Sequence, residues 1–272
     1  MTHFIKRIFE ENELLDGHYI EPFAGGAGVA TTLLTEQYAS CIHLNDVDRA
    51  VYAFWHSVVN SPDELCRRIK DTPVTMDTWN RQKPIHKDRE NQELIDLGFA
   101  TFFLNRTNRS GILTGGVIGG KNQTGAWKID ARYNAKELCR RIEQIALYKS
   151  RIRLYNLDAE DLVRGVFPSL PQNTLAYFDP PYYLKAPDLY QNHYKHEDHA
   201  LIASLVKTKV KIPWVVSYDN QPEISLLYRG CPTIKYDMSH SAGVNHFGTE
   251  VMFFSKKLNV PAVGNPVSMC PV

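Results

Sequence analysis

Gly17 to Ala30 reads G-H-Y-I-E-P-F-A-G-G-A-G-V-A. A short apolar run enters a glycine-rich turn, and a helical pattern, G-V-A-T-T-L-L-T-E-Q-Y, follows at once. That is the order strand, turn, helix. Gly25, Gly26 and Gly28 let the backbone turn tightly and come close to a ligand, as in nucleotide-binding βα turns. The spacing is not G-x-G-x-x-G, so a dinucleotide is not specified. Asp46 closes the next apolar run, C-I-H-L-N-D, 18 residues beyond Gly28. An acid at about that separation reaches ribose hydroxyls in such folds. Turn and acid together point to an adenosine-bearing cofactor.

Outward from this turn the pattern persists. D-R-A-V-Y-A-F-W-H-S-V-V predicts a second helix, and I-R-L-Y-N, L-A-Y-F-D, I-P-W-V-V-S-Y-D and E-V-M-F-F-S predict later strands. Alternating strands and helices imply an α/β fold with a parallel sheet and crossover helices. Between about 61 and 149 the strands give way to helical segments around N-R-T-N-R-S-G-I-L-T-G-G-V-I-G-G-K-N-Q-T-G-A-W. The expected organisation is one domain formed by residues 1–60 and 150–272, interrupted by an inserted module, 61–149, of small-domain size.

Composition sets the outer bounds. At 272 residues, 43% hydrophobic and 22% charged, the chain is an ordinary globular protein. It has no apolar run of membrane-spanning length, and acidic residues stand where a signal peptide would be apolar, so a soluble, cytoplasmic protein is expected. Cys41, Cys66, Cys139, Cys231 and Cys270 are scattered without a C-x-x-C pair, which fits a reducing compartment and suggests no metal site. Net charge is only +1, but Ser61–Ser150 carries 16 Lys+Arg against 11 Asp+Glu, a local +5, whereas the rest is acidic. The asymmetry favours a polyanion as the partner of the middle section.

A second motif closes the strand Thr174–Phe178: F-D-P-P-Y-Y. Prolines fix their own φ, lack an N–H, and Pro181 pushes Pro180 toward an extended conformation. Asp179 and the Pro180 carbonyl thus form a stiff acceptor cluster at the carboxyl end of a strand, with the flat face of Tyr182 beside it.

E-P-F-A-G-G-A-G, L-N-D, F-F-L-N-R-T-N-R-S-G and F-D-P-P-Y-Y, in that order, resemble the D12 class of DNA adenine-N6 methyltransferases, the group similar to the bacterial adenine methylases. The resemblance runs from about Ile5 to Ser255. It implies a Rossmann-like sheet with helices on both faces, a mainly helical target-recognition insert, S-adenosylmethionine as cofactor, and double-stranded DNA as substrate. It also implies a cognate restriction endonuclease as a further partner and a nucleoid-associated location. By position, Asp179, Pro180 and Tyr182 correspond to the catalytic set. The two acceptors would take the hydrogens of a flipped adenine amine, and the tyrosine would stack on the base. Glu21, Phe23, Gly25, Gly26, Gly28, Asp46 and Asp158 correspond to the cofactor site, with Asp158 equally readable as a helix N-cap. Tyr218 and Asp219 follow the next strand on the same sheet edge, where they line the pocket or make a turn.

Asn105, Arg106, Asn108, Arg109, Lys121, Asn122 and Arg132 cluster where the family carries its DNA-reading module; such residues suit phosphate contacts and base-edge hydrogen bonds. The sequence departs from the family in two places. Starting at M-T-H-F-I-K-R-I, the chain is expected to lack the P-G-G-K-like segment that precedes the first helix in relatives, which leaves three readings: a shortened gene, substitution by Lys6 and Arg7, or poor cofactor binding. The stretch S-A-G-V-N-H-F-G-T-E is neutral where relatives carry a basic residue. The rival readings are a methyltransferase acting on RNA or an amide nitrogen, and a catalytically weak DNA-binding relative.

Overall fold

A computed structural model describes residues 1–183, 194–240, 246–262 and 265–267. Residues 241–245, which include half of the neutral stretch just noted, lie outside the described residues. The chain divides into two compact units, Met1–Asp46 with Leu157–Val272, and Val47–Asn156.

The first unit is built on a sheet. Strands β1 (Gly17–Glu21) and β2 (Ala39–Asn45) come from the opening motif and pair in parallel. After the second unit the chain returns as β4 (Thr174–Phe178), parallel to β1 on its other side, and then as β5 (Trp214–Asp219), parallel to β4. The antiparallel pair β6 (Thr233–His240) and β7 (His246–Phe254) completes it, with β7 against β5. Within this unit the order is β2-β1-β4-β5-β7-β6. The chain leaves β1 toward one side and β4 toward the other, so the two are neighbours at a topological switch point. In open α/β sheets a crevice forms outside the carboxyl ends there.

Both faces of this sheet are covered. Helix α1 (Thr2–Glu11) buries Phe4, Ile5, Ile8 and Phe9, spaced as one helical face. Phe9 meets Tyr19 of β1 and Phe4 meets Phe254 of β7. On the opposite face Phe167 packs on Phe178, and His199 of the helix His196–Thr208 packs on Tyr218. Lys6 and Arg7 of α1 are taken by Glu36 and Glu11, so these cations serve local ion pairs.

In the second unit, helix α3 (Arg49–Asn60) is capped by Asp48, whose carboxylate accepts from the Ala50 N–H at 2.9 Å. It is followed by α4 (Pro62–Asp71), α5 (Met76–Lys87), α6 (Leu94–Thr107) and α7 (Ala135–Ala146); the short strand β3 (Ile152–Tyr155) also belongs to this unit. The sequence pattern grouped α3 with the α/β part. Its packing explains why the division falls earlier. Ala50 and Ala53 form a fully buried cluster with Leu97 of α6, and α6 is held so close that a Cβ at Gly98 would stand 2.3 Å from the Ser57 Oγ and 2.6 Å from the Ala53 carbonyl. Only glycine admits that approach.

Candidate active site

The turn after β1 is held from β2. The Ala24 N–H donates to the Asn45 carbonyl at 2.8 Å, and the Gly25 N–H donates to Asp46 Oδ2 at 3.0 Å. Gly25 adopts φ +47 and Ala27 φ +43, so the chain passes through left-handed backbone just before helix α2 (Gly28–Thr35). A Cβ built on Gly25, Gly26 or Gly28 would meet nothing within 4 Å, and all three glycines are exposed. The turn therefore presents bare backbone to open space. Asn45, 1% exposed, fastens it from beneath. Its amide donates to the Pro22 carbonyl at 2.8 Å and the Leu157 carbonyl at 3.0 Å, and its Oδ1 accepts from the Leu157 N–H at 3.0 Å.

That last bond brings in Asp158, which caps the helix Ala159–Gly165 by accepting from the Glu160 N–H at 2.8 Å and remains exposed. Tyr194 lies near the charges of both Asp158 and Asp46, and its ring meets Phe23 edge-on at 6.0 Å. Phe23, Asp46, Asp158 and Tyr194 thus surround the glycine turn. Glu21 is buried, with its carboxyl accepting from the Tyr19 hydroxyl at 3.0 Å. Burial pushes it up to about 8, the Tyr19 and Ala30 hydrogen bonds opposing, so at neutral pH it backs the turn as a protonated acid.

Asp179 follows β4 at the same end of the sheet. Ser217 of β5 donates to its Oδ1 at 2.6 Å, and the Tyr177 hydroxyl stands 2.9 Å from the Ser217 Oγ. Among the described residues Oδ2 has no hydrogen-bond partner. The Asp179 side chain is exposed, yet protein atoms surround it at longer range. These two facts agree for a carboxylate on the floor of a concavity, reachable by water but poorly solvated. Desolvation, with the Glu250 charge adding and Ser217 opposing, pushes it up to about 6.

Tyr182 is half-buried, and its hydroxyl donates to Glu250 of β7. The other Glu250 oxygen accepts from Tyr236 of β6 at 2.8 Å. Asp219 Oδ1 accepts from the Tyr183 N–H at 2.8 Å, which pins the backbone after the prolines. Strand alternation places Glu21, Asp179, Ser217, Asp219 and Glu250 on one face of the sheet at one end. Tyr218 points the other way, wholly buried, with its hydroxyl 3.0 Å from His199 Nδ1, and is a core residue.

The insert loop falls in the second unit. Thr107–Ile118 folds back on itself through the Arg109 N–H to Gly116 carbonyl and Ile118 N–H to Thr107 carbonyl bonds, both 2.9 Å. Asn108 is wholly buried inside it, accepting from Trp79 Nε1 at 2.7 Å and donating to the Ile112 and Leu113 carbonyls. All of its amide is used, so the expectation that Asn108 reads DNA is corrected: it holds the loop. Gln123 is spent likewise on the Ile118 and Gly120 carbonyls and the Ile129 N–H. Asn105 ties Arg106 to the Gly111 carbonyl. Arg109, Lys121, Asn122 and Arg132 are exposed. On this unit's helices Arg67, Arg68, Lys70, Arg140 and Arg141 are paired with carboxylates. Among the described residues Arg106, Arg109, Lys121 and Arg132 form no ion pair, and Arg106 is held below its ordinary proton affinity by burial and by Arg132 and Arg141 nearby.

Sequence reading missed Asn45, Tyr194, Ser217 and Glu250. Ser217 had one available signal, alternation with Asp219 along β5; Glu250 and Tyr194 had none.

The chain is distantly similar to solved structures, two of which follow. One is the rRNA methyltransferase AviRa from Streptomyces viridochromogenes, at 12% identity and TM-score 0.39, covering 94% of this chain and 86% of that one. The other is protein LPL1258 from Legionella pneumophila str. Philadelphia 1, at 13% identity and TM-score 0.31, covering 96% and 85%. No curated protein matches the chain in sequence. A family model described as D12 class N6 adenine-specific DNA methyltransferase matches residues 1–239. That span contains the glycine turn, Asp46, Asp158, F-D-P-P-Y and Ser217, leaving only Glu250 of the groups around Asp179 beyond it. The chain belongs to the D12 class N6 adenine-specific DNA methyltransferases.

Proposed function

We propose that the protein transfers a methyl group from S-adenosylmethionine to the N6 amine of an adenine flipped out of duplex DNA. The observation that carries this reading is the acceptor at the end of β4: Asp179 with Oδ1 anchored by Ser217 and Oδ2 without a partner among the described residues, beside the bare glycine turn after β1.

The residues fit an adenosine-bearing cofactor. Gly25, Gly26 and Gly28 offer backbone without side chains, Asp46 and Asp158 offer carboxylates, and Phe23 and Tyr194 offer apolar ring surface. The cofactor supplies, when bound, an electrophilic methyl group. The chain's residues prepare the amine. Adenine N6 is a poor nucleophile because its lone pair is delocalised into the ring. Asp179 Oδ2 and the Pro180 carbonyl accept hydrogen bonds from its two N–H groups, which favours a pyramidal nitrogen with its lone pair directed outward. The products are the neutral thioether and the methylated amine, whose surplus proton would pass to solvent. Tyr182, clamped through its hydroxyl by Glu250, is a fixed platform for the extruded base. Alignment of this kind needs neither a covalent intermediate nor a metal.

Incubation with S-adenosylmethionine and duplex DNA, followed by nucleoside analysis, should yield N6-methyladenine in DNA. Methylation confined to RNA, or none with either polymer, would overturn the reading.

Asp46 serves two ends, the Gly25 N–H and, in this proposal, ribose hydroxyls. Asp46→Ala should weaken cofactor binding by about 1.5–3 kcal/mol, the range for hydrogen bonds to a charged group. Unchanged affinity in a binding titration would leave Asp46 with the turn alone.

The unit Val47–Asn156 is proposed to bind DNA through Arg106, near the end of α6, and the loop cations Arg109, Lys121 and Arg132, with Asn122 near base edges and Asn105 orienting Arg106. Log affinity should fall linearly with log salt, and alanine at Arg106, Arg109, Lys121 or Arg132 should each lower the slope by roughly one. Anisotropy titrations at several salt concentrations measure this; flat responses in all four variants would move the DNA surface elsewhere.

A further inference from the structure

The face of β1 and β2 opposite the carboxylates carries a second cluster. His18 lies beside Cys41 in the parallel register, and His43 follows two residues along β2 on the same face. His18 Nδ1 and His43 Nε2 are 3.0 Å apart, Cys41 Sγ is 3.8 Å from His43 Nε2, and the three atoms all lie within 4.8 Å of one another. Cys41 and His43 are buried, while His18 is part-exposed and gives a route from solvent. The cysteine spacing holds no C-x-x-C pair and suggests no metal site, but strand register brings a C-x-H on β2 beside a histidine on β1.

We propose that His18, Cys41 and His43 bind a zinc-like transition-metal ion, with one further position open to water or an exogenous ligand. Two imidazoles and a thiolate are the donor set of a borderline-soft ion, and hard cations such as Mg²⁺ or Ca²⁺ prefer oxygen. The spacing suits tetrahedral geometry. Metal–nitrogen bonds of about 2.0–2.1 Å and metal–sulfur bonds of about 2.3 Å put N···N near roughly 3.3 Å and N···S near roughly 3.6 Å. The observed 3.0 and 3.8 Å need shifts of only a few tenths of an ångström, and the His18 Nδ1 to Cys41 Sγ separation, within 4.8 Å, has at most about 1.2 Å to close.

Binding rearranges the contacts within the cluster and releases one proton. The hydrogen bond between His18 and His43 breaks, each ring presents a lone pair at Nδ1 or Nε2 with its proton on the other nitrogen, and the Cys41 thiol loses its proton to solvent. Affinity therefore falls as pH drops. The ion would tie β1 to β2 three residues before Glu21 and three before Asp46, bracing the two strand ends from which the glycine turn and its acid project.

The test uses the full chain, reduced, freed of metal by chelation and titrated with Co²⁺ and then Zn²⁺. Expected are one equivalent bound, a near-ultraviolet thiolate-to-cobalt charge-transfer band, visible absorption typical of four-coordinate cobalt, and displacement by Zn²⁺ with a rise in Tm. Cys41→Ser should lose the charge-transfer band, and His43→Asn should bind at least about tenfold more weakly. Cys231→Ser, which removes the part-exposed thiol elsewhere, should leave the titration unchanged. If the buried variants fail to fold, the wild-type band and an X-ray absorption count of one sulfur and two imidazole nitrogens decide alone. Absence of saturable one-equivalent binding, a cobalt adduct without the thiolate band, or a band that survives Cys41→Ser and vanishes in Cys231→Ser would overturn the proposal.

Discussion

Asp179→Asn is expected to lower kcat for methyl transfer by on the order of 10³-fold or more, with cofactor affinity nearly unchanged, if the reaction proposed above is correct. The substitution keeps the shape of the side chain, and the amide oxygen still accepts from Ser217. What changes is the second position, where an acceptor becomes an NH₂ donor facing the amine it was to activate. Loss of one preorganised polar group costs about 10²–10³ in systems where the group stays in place, and here attraction turns into donor–donor conflict as well. A pH profile separates this role from a structural one. An ordinary aspartate is ionised far below neutrality, but Asp179 is pushed up to about 6 by desolvation, and only its anion accepts on both oxygens. The wild-type kcat/KM should therefore be at its plateau above that value and fall as pH drops through about 6, while the residual activity of the Asn variant should lack this limb. A variant within tenfold of wild type, or a wild-type midpoint near 4, would remove Asp179 from the chemistry.

The parts of this site that were legible in the sequence are those that local rules determine. Strand β1 and its turn could be read from G-H-Y-I-E-P-F-A-G-G-A-G because glycine spacing and apolar pattern act over a few residues, and β4 with Asp179 could be read for the same reason. Strand β6 carried a signal that was passed over: T-I-K-Y-D-M-S-H alternates polar and apolar residues along its length, as an antiparallel strand does. The partners of Asp179 and Tyr182 were of another kind. Ser217 and Glu250 reach them through strand pairings formed across 38 and 68 residues of chain, and nothing in the neighbourhood of either residue states that register. Asn108 shows the converse error. An asparagine in a basic, glycine-rich loop looks like a base reader, and only the geometry of Trp79 and two carbonyls shows that its amide is consumed inside the loop.

Asn45→Ala is expected to destabilise the first unit by about 2–4 kcal/mol, since it removes three hydrogen bonds from a buried side chain at roughly 1 kcal/mol each and strands their partners. For a body of this size that corresponds to a fall in Tm of roughly 5–15 °C. The more telling variant is Asn45→Asp. It preserves volume and the oxygen that receives the Leu157 N–H, but it turns the donating end into an oxygen set against the Pro22 and Leu157 carbonyls, in a position that is 1% exposed. If Asn45 mattered only for filling space, aspartate would be the milder change. If its donors hold the exits of β1 and the Asp158 loop together, aspartate must be worse than alanine, because it adds repulsion and a poorly solvated charge to the lost bonds. Cofactor affinity should fall in the same order, since Phe23, Asp46 and Asp158 all hang from the segments that Asn45 joins. Thermal unfolding and a binding titration on the three proteins measure both, and an Asn45→Asp variant as stable as the wild type would show that the fastening of the turn lies elsewhere.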